Sequence, residues 1–414
     1  MHRRQFLKTL AAGTIATTWS GSLFSGLTST WALPATPGEL PWYFVQVQLD
    51  GGWDVTLCTD PWIQAKAPNP QDLFLEYNPS EIPVISGIPF GPAMMPLKSF
   101  ADRLCVVNGL FLNQLDNGHD AALRYMLSGS TNQTWGDLAV EIMETREAGT
   151  LGIATNQRVH TGTRNQLTTL LESVEGLRAT SGDSFESNEN DSNHLSQIEK
   201  DLTASVGKFK ILHDQLDLFR QQNPGLTDGH RLAALFKSEL SNVASLSYFS
   251  MLDTHSGHAG AHLSNLTGNF NQVADLLKIF SQVEIRASGQ SLLDRTTFYI
   301  TSEFSRTPAL NNAGGKDHNP LLNSAIILGP KIKGGQVFGG SKLIEKSKSK
   351  TALPYHIALP VDARTGLVRE DRQGTLILRP ENVAGTIIES LGISRRRFAP
   401  VQEKVPSLAN WILK

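Results

Sequence analysis

The chain has 414 residues, 40% of them hydrophobic and 18% charged, with a formal net charge of −2. That composition fits a globular chain long enough for one large α/β domain with insertions, or for two ordinary domains. The near balance of charge argues against a polyanion as partner, so neither nucleic acid nor an acidic membrane surface is expected.

Residues 1–32 read MHRRQFLKTLAAGTIATTWSGSLFSGLTSTWA. Arg3-Arg4 stands before Phe6-Leu7-Lys8, and a weakly apolar run rich in Ala, Gly, Ser and Thr follows. The pattern resembles a bacterial twin-arginine export signal, with Thr30 and Ala32 as a small-residue cleavage site and a mature chain from about residue 33. The apolar part is too short and too polar for a transmembrane helix, and no other run is long enough to span a bilayer. The expected partner is therefore the twin-arginine translocase, and the expected location the periplasm or the exterior. Residues 33–414 are expected to form one domain. Two cysteines, Cys58 and Cys105, fit either a single disulfide in an oxidising compartment or two buried thiols.

WYFVQVQL (42–49) alternates apolar and polar residues and runs into DGGWD, a strand ending in a glycine turn. Residues 60–100 are proline-rich and loop-like. RLCVVNGL (103–110) predicts a second strand. NGHDAALRYMLSG (117–129) predicts a helix capped by Asp116 or Asn117 and ended by Gly129. GDLAVEIMETRE (136–147) predicts another. Residues 180–196, rich in Ser, Asn and acids, read as a mobile surface insertion. The 3.6-residue period predicts helices over 197–221, 230–247 and 258–286, with a short strand over 247–253. RTTFYITSEF (295–304) and LLNSAIILG (321–329) are the clearest buried strands. SKLIEKSKSK (341–350) reads as a solvated basic loop, and residues 379–393 as a closing helix. Strands alternating with helices, without a fixed repeat, predict a three-layer α/β/α sandwich on a mostly parallel sheet. In such sheets functional groups gather beyond the carboxyl ends of the strands.

Four polar clusters follow strand-like runs. In LDGGWD, Asp50 and Asp54 flank two glycines, which let both carboxylates face one point; a plain Asx-capped turn fits equally. In DNGHDAALRY, His119 and Asp120 open a helix, where free N–H groups favour anions; the alternative is a surface histidine beside a helix-stabilising acid. LDTHSGHAGAH holds Asp253, His255, His258 and His262, a run of imidazole and carboxylate donors suited to a transition metal, or else a histidine-rich loop. TSEFSRTPALNNAGGKDHNP holds Glu303, Arg306, Asp317 and His318. An arginine there suits a bidentate anion, or a simple Glu303–Arg306 ion pair.

The GGWD, GHDAALRYMLSG and DTH blocks, SEFSRTP…KDHNP, ILGPKIKGGQVFGG and the terminal PENVAGTIIESLGI together resemble the bacterial "domain of unknown function 1501" family, over nearly all of residues 33–414. That family is assigned to the alkaline-phosphatase-like superfamily, beside sulfatases and cofactor-independent phosphoglycerate mutases. The resemblance implies an exported, metal-dependent, hydrolase-like protein acting on a phosphate or sulfate ester or a related anionic group. It implies a divalent cofactor (Zn, Mn or Ca) with ligands among Asp50, Asp54, Asp253, His255, His258, Glu303, Asp317 and His318. Arg306 would hold the anion, and His119 or His255 would move protons. Two departures support an alternative. Phe304 fills the slot of the superfamily's paired histidine, and no Ser, Thr or Cys nucleophile occurs between Asn113 and Arg124. The alternative is a non-catalytic cell-envelope binding protein with a degenerate metal site and a carbohydrate or protein partner.

Overall fold

A computed structural model describes residues 40–62, 70–112, 118–132, 135–145, 152–154, 168–170, 196–248, 251–345, 354–371, 374–395 and 405–414. One eight-stranded sheet organises them. Its strands are β1 (Tyr43–Leu49), β2 (Cys105–Leu110), β3 (Gly152–Ala154), β4 (Thr168–Leu170), β5 (Val243–Tyr248), β6 (Thr296–Thr301), β7 (Asn323–Leu328) and β8 (Gln336–Phe338). They lie in the spatial order β8-β2-β7-β6-β1-β5-β3-β4. Pairing is parallel except where β7 runs antiparallel between β2 and β6.

The main helices are α1 (His119–Ser128), α2 (Leu138–Thr145), α3 (Ser196–Gln222), α4 (Asp228–Lys237), α5 (Ala261–Gln282) and α6 (Pro380–Ser390). They cover both faces of the sheet. Tyr43, Val45, Val47 and Leu49 of β1 pack into one core with α3, α4, α5 and the 3₁₀ turns of residues 92–103. Phe44 of the same strand, with Val107, Tyr299, Ala325 and Ile327, packs into the other with α1, α2 and α6. All six residues of β6 (TTFYIT) and of β7 (NSAIIL) are buried, and each strand carries an apolar block without alternation, Phe298–Ile300 and Ala325–Leu328, beside polar ends. The expected three-layer α/β/α architecture on a mostly parallel sheet is the one observed. None of the described helices is long and apolar enough to cross a membrane.

Three local expectations change, the first at Ser341–Ile344, expected in a solvated loop and instead a strand paired antiparallel with Tyr355–Ala358. The helix expected over 230–247 ends at Lys237, and Val243–Tyr248 is strand β5. Its Val-Ala-Ser-Leu-Ser-Tyr alternation belongs to the sheet, where β5 pairs with β1 from Phe44↔Val243 to Leu49↔Tyr248. The N-cap of α1 is Gly118, not Asp116 or Asn117, and Gly129 closes the helix in the left-handed conformation as expected. Of the two states expected for Cys58 and Cys105, separate buried thiols are the one observed. The signal over 1–32, the insertion up to residue 195 and residues 346–350 lie outside the described residues.

Candidate metal centre

β1, β5 and β6 are adjacent and parallel, so the segments that leave their carboxyl ends meet at one edge of the sheet. β1 ends in Asp50-Gly51-Gly52. Gly51 has φ +107, and a Cβ there would stand 2.6 Å from the Asp253 amide nitrogen, so glycine lets the turn lie against the backbone that follows β5.

Above this turn sits a half-exposed cluster of imidazoles and carboxylates. His119, the first residue of α1, directs Nδ1 at Glu303 Oε1 (2.9 Å) and Nε2 at Asp253 Oδ2 (3.5 Å). His255 directs Nδ1 at Asp317 Oδ1 (2.9 Å) and Nε2 at Asp253 Oδ1 (3.2 Å). His318 Nε2 lies 3.4 Å from Asp253 Oδ1 and 2.9 Å from His255 Nε2. The ligand atoms of His119, Asp253 and His318 fall within 4.8 Å of one another. Around a tetrahedral zinc with bonds of 2.0–2.1 Å, donor atoms stand roughly 3.3–3.4 Å apart. The spacing around Asp253 is of that size. Two of the imidazoles donate their Nδ1 proton to a carboxylate, the arrangement that fixes a metal-binding tautomer with Nε2 free to ligate.

Glu303 is 1% exposed. It accepts from the Gly51 amide (2.7 Å) and from Ser302 Oγ (2.9 Å) as well as from His119. Burial pushes its carboxyl up, but these hydrogen bonds outweigh it and hold the pKa below the usual carboxylate range. The same hydrogen bond raises the His119 pKa, against a smaller lowering by burial. Asp317 is likewise held low, its hydrogen bonds from His255 and Asn311 outweighing the effect of burial.

Arg306 lies beneath the cluster, 1% exposed. Its Nε donates to Gly52 O (3.1 Å), Nη1 to Lys316 O (3.1 Å), and Nη2 to Gly51 O and to Asp253 Oδ1 (2.6 Å). The guanidinium expected to hold a substrate anion instead clamps three backbone carbonyls and one carboxylate. The Phe304 ring packs beside the imidazoles, its centroid 4.1 Å from that of His318 and 5.0 Å from that of His119.

Deeper still is a second, fully buried cluster. Asp54 Oδ2 receives Lys316 Nζ (2.6 Å) and lies 3.4 Å from His258 Nε2. The Asp54 amide donates to His262 Nε2 (3.0 Å). Thr254 Oγ1 stands between His258 Nδ1 (2.7 Å) and His262 Nδ1 (2.9 Å), and the two rings stack with centroids 4.4 Å apart. Burial depresses both imidazoles.

Residues 227–358 match the family model described as "Protein of unknown function (DUF1501)". No curated protein matches the sequence. Among solved structures, the chain is similar to a 2-O GAG sulfatase (11% identity, 90% of this chain, 74% of that one, TM-score 0.39). It is also similar to the zinc-complexed C-terminal periplasmic domain of EcEptC from Escherichia coli (11%, 72% and 76%, TM-score 0.31). A third is a protein of the alkaline phosphatase superfamily from Vibrio parahaemolyticus (9%, 82% and 72%, TM-score 0.32).

The DUF1501 match takes in Asp253, His255, Glu303, Arg306, Asp317 and His318, while His119 and the Gly51-Gly52 turn come from outside it. The expected ligands divide into three groups. Asp253, His255 and His318 offer donors to one point, with His119 beside them. Glu303 and Asp317, expected as ligands, instead hold His119 and His255 through Nδ1. Asp50, Asp54 and His258 stand apart from the exposed cluster. Asp50 accepts from Gln48 Nε2 and Ser247 Oγ (3.1 Å each), and Asp54 and His258 belong to the buried network with Lys316. Lys316 and Thr254 were missed. Their one signal in the sequence is adjacency, Lys316 before Asp317-His318 and Thr254 between Asp253 and His255.

Proposed function

We propose that this is an exported metal-dependent hydrolase-like protein acting on a phosphate or sulfate ester or a related anionic group. The observation that carries the reading is the meeting of the His255 and His318 Nε2 atoms at Asp253 Oδ1, with His255 oriented from behind by Asp317. In this reading Asp253, His255 and His318 hold one divalent ion of the Zn or Mn type, because imidazole and carboxylate donors suit those metals. When bound, such an ion would supply Lewis acidity toward an ester oxygen and toward the water that attacks the phosphorus or sulfur. His119 carries a proton for the departing oxygen; Glu303 orients its ring and favours its protonated form. Export rests on the Arg3-Arg4 leader.

The roles separate by substitution. His318→Ala should abolish stoichiometric Zn²⁺ or Mn²⁺ binding, measured by elemental analysis and titration. His119→Gln should keep the metal and lose turnover of phosphate and sulfate esters. Equal metal content in wild type and His318→Ala would sink the metal reading.

The second reading, a non-catalytic envelope binding protein, is favoured by two features. Arg306 directs its donors into the protein, and the sequence from the Gly118 N-cap through Leu127 of α1 holds no Ser, Thr or Cys. A protein that binds metal but turns over no ester in the panel would support it.

A further inference from the structure

The buried network beneath the centre has one consistent assignment of its protons. The Asp54 N–H donates to His262 Nε2, so that nitrogen bears no proton and the His262 proton is on Nδ1. From there it donates to Thr254 Oγ1 at 2.9 Å. The hydroxyl's own proton then goes to His258 Nδ1 at 2.7 Å, much closer than its other acceptor, Leu252 O at 3.5 Å. This leaves the His258 proton on Nε2, facing Asp54 Oδ2 at 3.4 Å and Glu76 Oε1 at 3.9 Å. The chain of donors starts at the Asp54 amide and comes back to face the Asp54 carboxylate across 3.4 Å, an electrostatic contact rather than a hydrogen bond. Within that ring Thr254 both accepts and donates through a single atom.

The ring ties the ligand-bearing loops to each other. The Lys316 ammonium donates to Asp54 Oδ2, and the Lys316 amide donates to Thr254 O at 3.0 Å. The His258 amide donates to Gly314 O at 2.9 Å. Asp253 and His255 flank Thr254, and His318 lies two residues beyond Lys316. A threonine that merely filled space could be a valine; the hydroxyl makes the two chemically unlike.

We propose that Thr254 is a positioning residue of the metal centre. Its hydroxyl, held between His258 and His262, sets the loop that carries Asp253 and His255, and the ring sets through Lys316 the loop that carries His318. This rests on the metal reading above, so the test separates the two. Zn²⁺ affinity is measured by chelator competition on the full chain, with Tm measured in parallel. Thr254→Val should weaken Zn²⁺ binding by about 10–100-fold, the range for groups that orient metal ligands, while Thr254→Ser stays close to wild type. Wild-type affinity in Thr254→Val, with only its Tm lowered, overturns the proposal. If wild type and His318→Ala bind Zn²⁺ alike, the metal reading fails, and histidine ¹⁵N resonances of the metal-free protein judge the ring. His262 protonated on Nδ1 and His258 on Nε2, with His255 and His318 broadened in Thr254→Val and sharp in Thr254→Ser, uphold it. His262 protonated on Nε2 in wild type overturns it without recourse to a variant, as do unchanged His255 and His318 resonances in Thr254→Val.

Discussion

Replacing Lys316 by methionine removes one half of a buried ion pair. The ammonium is 2.6 Å from Asp54 Oδ2, and both side chains are at most 1% exposed. Such a pair is weak evidence for net stability, because desolvating two charges offsets their attraction. Removing one partner is different: it strands a buried carboxylate and costs about 3–5 kcal/mol. At ~2.1 cal/mol/K per residue, a chain of 414 residues unfolds with an entropy on the order of 0.9 kcal/mol/K, so Tm should fall by about 3–6 °C. The loss should depend on pH. Burial pushes Asp54 up, but Lys316 and His258 outweigh it and hold the carboxyl well below its usual range. In wild type that lowered pKa contributes stability above the pKa of the unfolded chain, and the contribution disappears as pH falls through the folded value. In Lys316→Met, burial acts without the ammonium, the folded pKa rises, and acid relieves the stranded charge. The gap to wild type should be widest near neutral pH and narrow below about pH 5. Asp54→Asn added to Lys316→Met should recover most of the loss. Differential scanning fluorimetry across pH reads all of this. A gap that does not change with pH, or a double variant no more stable than the single, refutes the reasoning.

Arg306→Met should destabilise by at least about 3 kcal/mol, since it leaves several buried acceptors unpaired at about 1–3 kcal/mol each; Arg306→Lys should not rescue it, because one ammonium cannot reproduce the fork. Arg306→Met that melts like wild type in a thermal scan, yet loses phosphate binding, would return the residue to an anion-holding role. Glu303→Gln should lower the His119 pKa toward its ordinary value, because the Glu303 hydrogen bond is the largest cause of its being raised; a ¹⁵N titration showing no change would contradict the assignment. Lys-Lys in place of Arg3-Arg4 should leave the protein in the cytoplasm of its host, as cell fractionation would reveal.

The strands at the centre of the sheet were legible because burial on both faces leaves a short apolar block without alternation, as in Phe298–Ile300 of β6 and Ala325–Leu328 of β7. β5 was not, because its Val-Ala-Ser-Leu-Ser-Tyr directly follows a helical period and its serines meet Gln46 and Gln48 of β1, contacts with no local trace. Residue types flagged the site well, but roles are set by distance. Glu303 and Asp317 look like ligands on paper, and the fold turns them toward Nδ1 of two imidazoles. Asp54 looked like a partner of Asp253, and the turn at Trp53 carries it inward instead, the Trp53 amide donating to Ser302 Oγ and its indole to Asn323 Oδ1.

The place of β1 in the sheet bears on how the chain is made. It is the first of the described strands to leave the ribosome, yet its two neighbours come far later: Gln46 bonds Ser245 across 199 residues, and the Trp53 amide bonds Ser302 across 249. At a synthesis rate of about 5–20 residues/s, β1 waits roughly 12–50 s for its second flank. Throughout that interval YFVQVQL has an open edge, the geometry that invites pairing with a stray strand. A chain cut short before Thr301 lacks this second flank and should collect in the insoluble fraction.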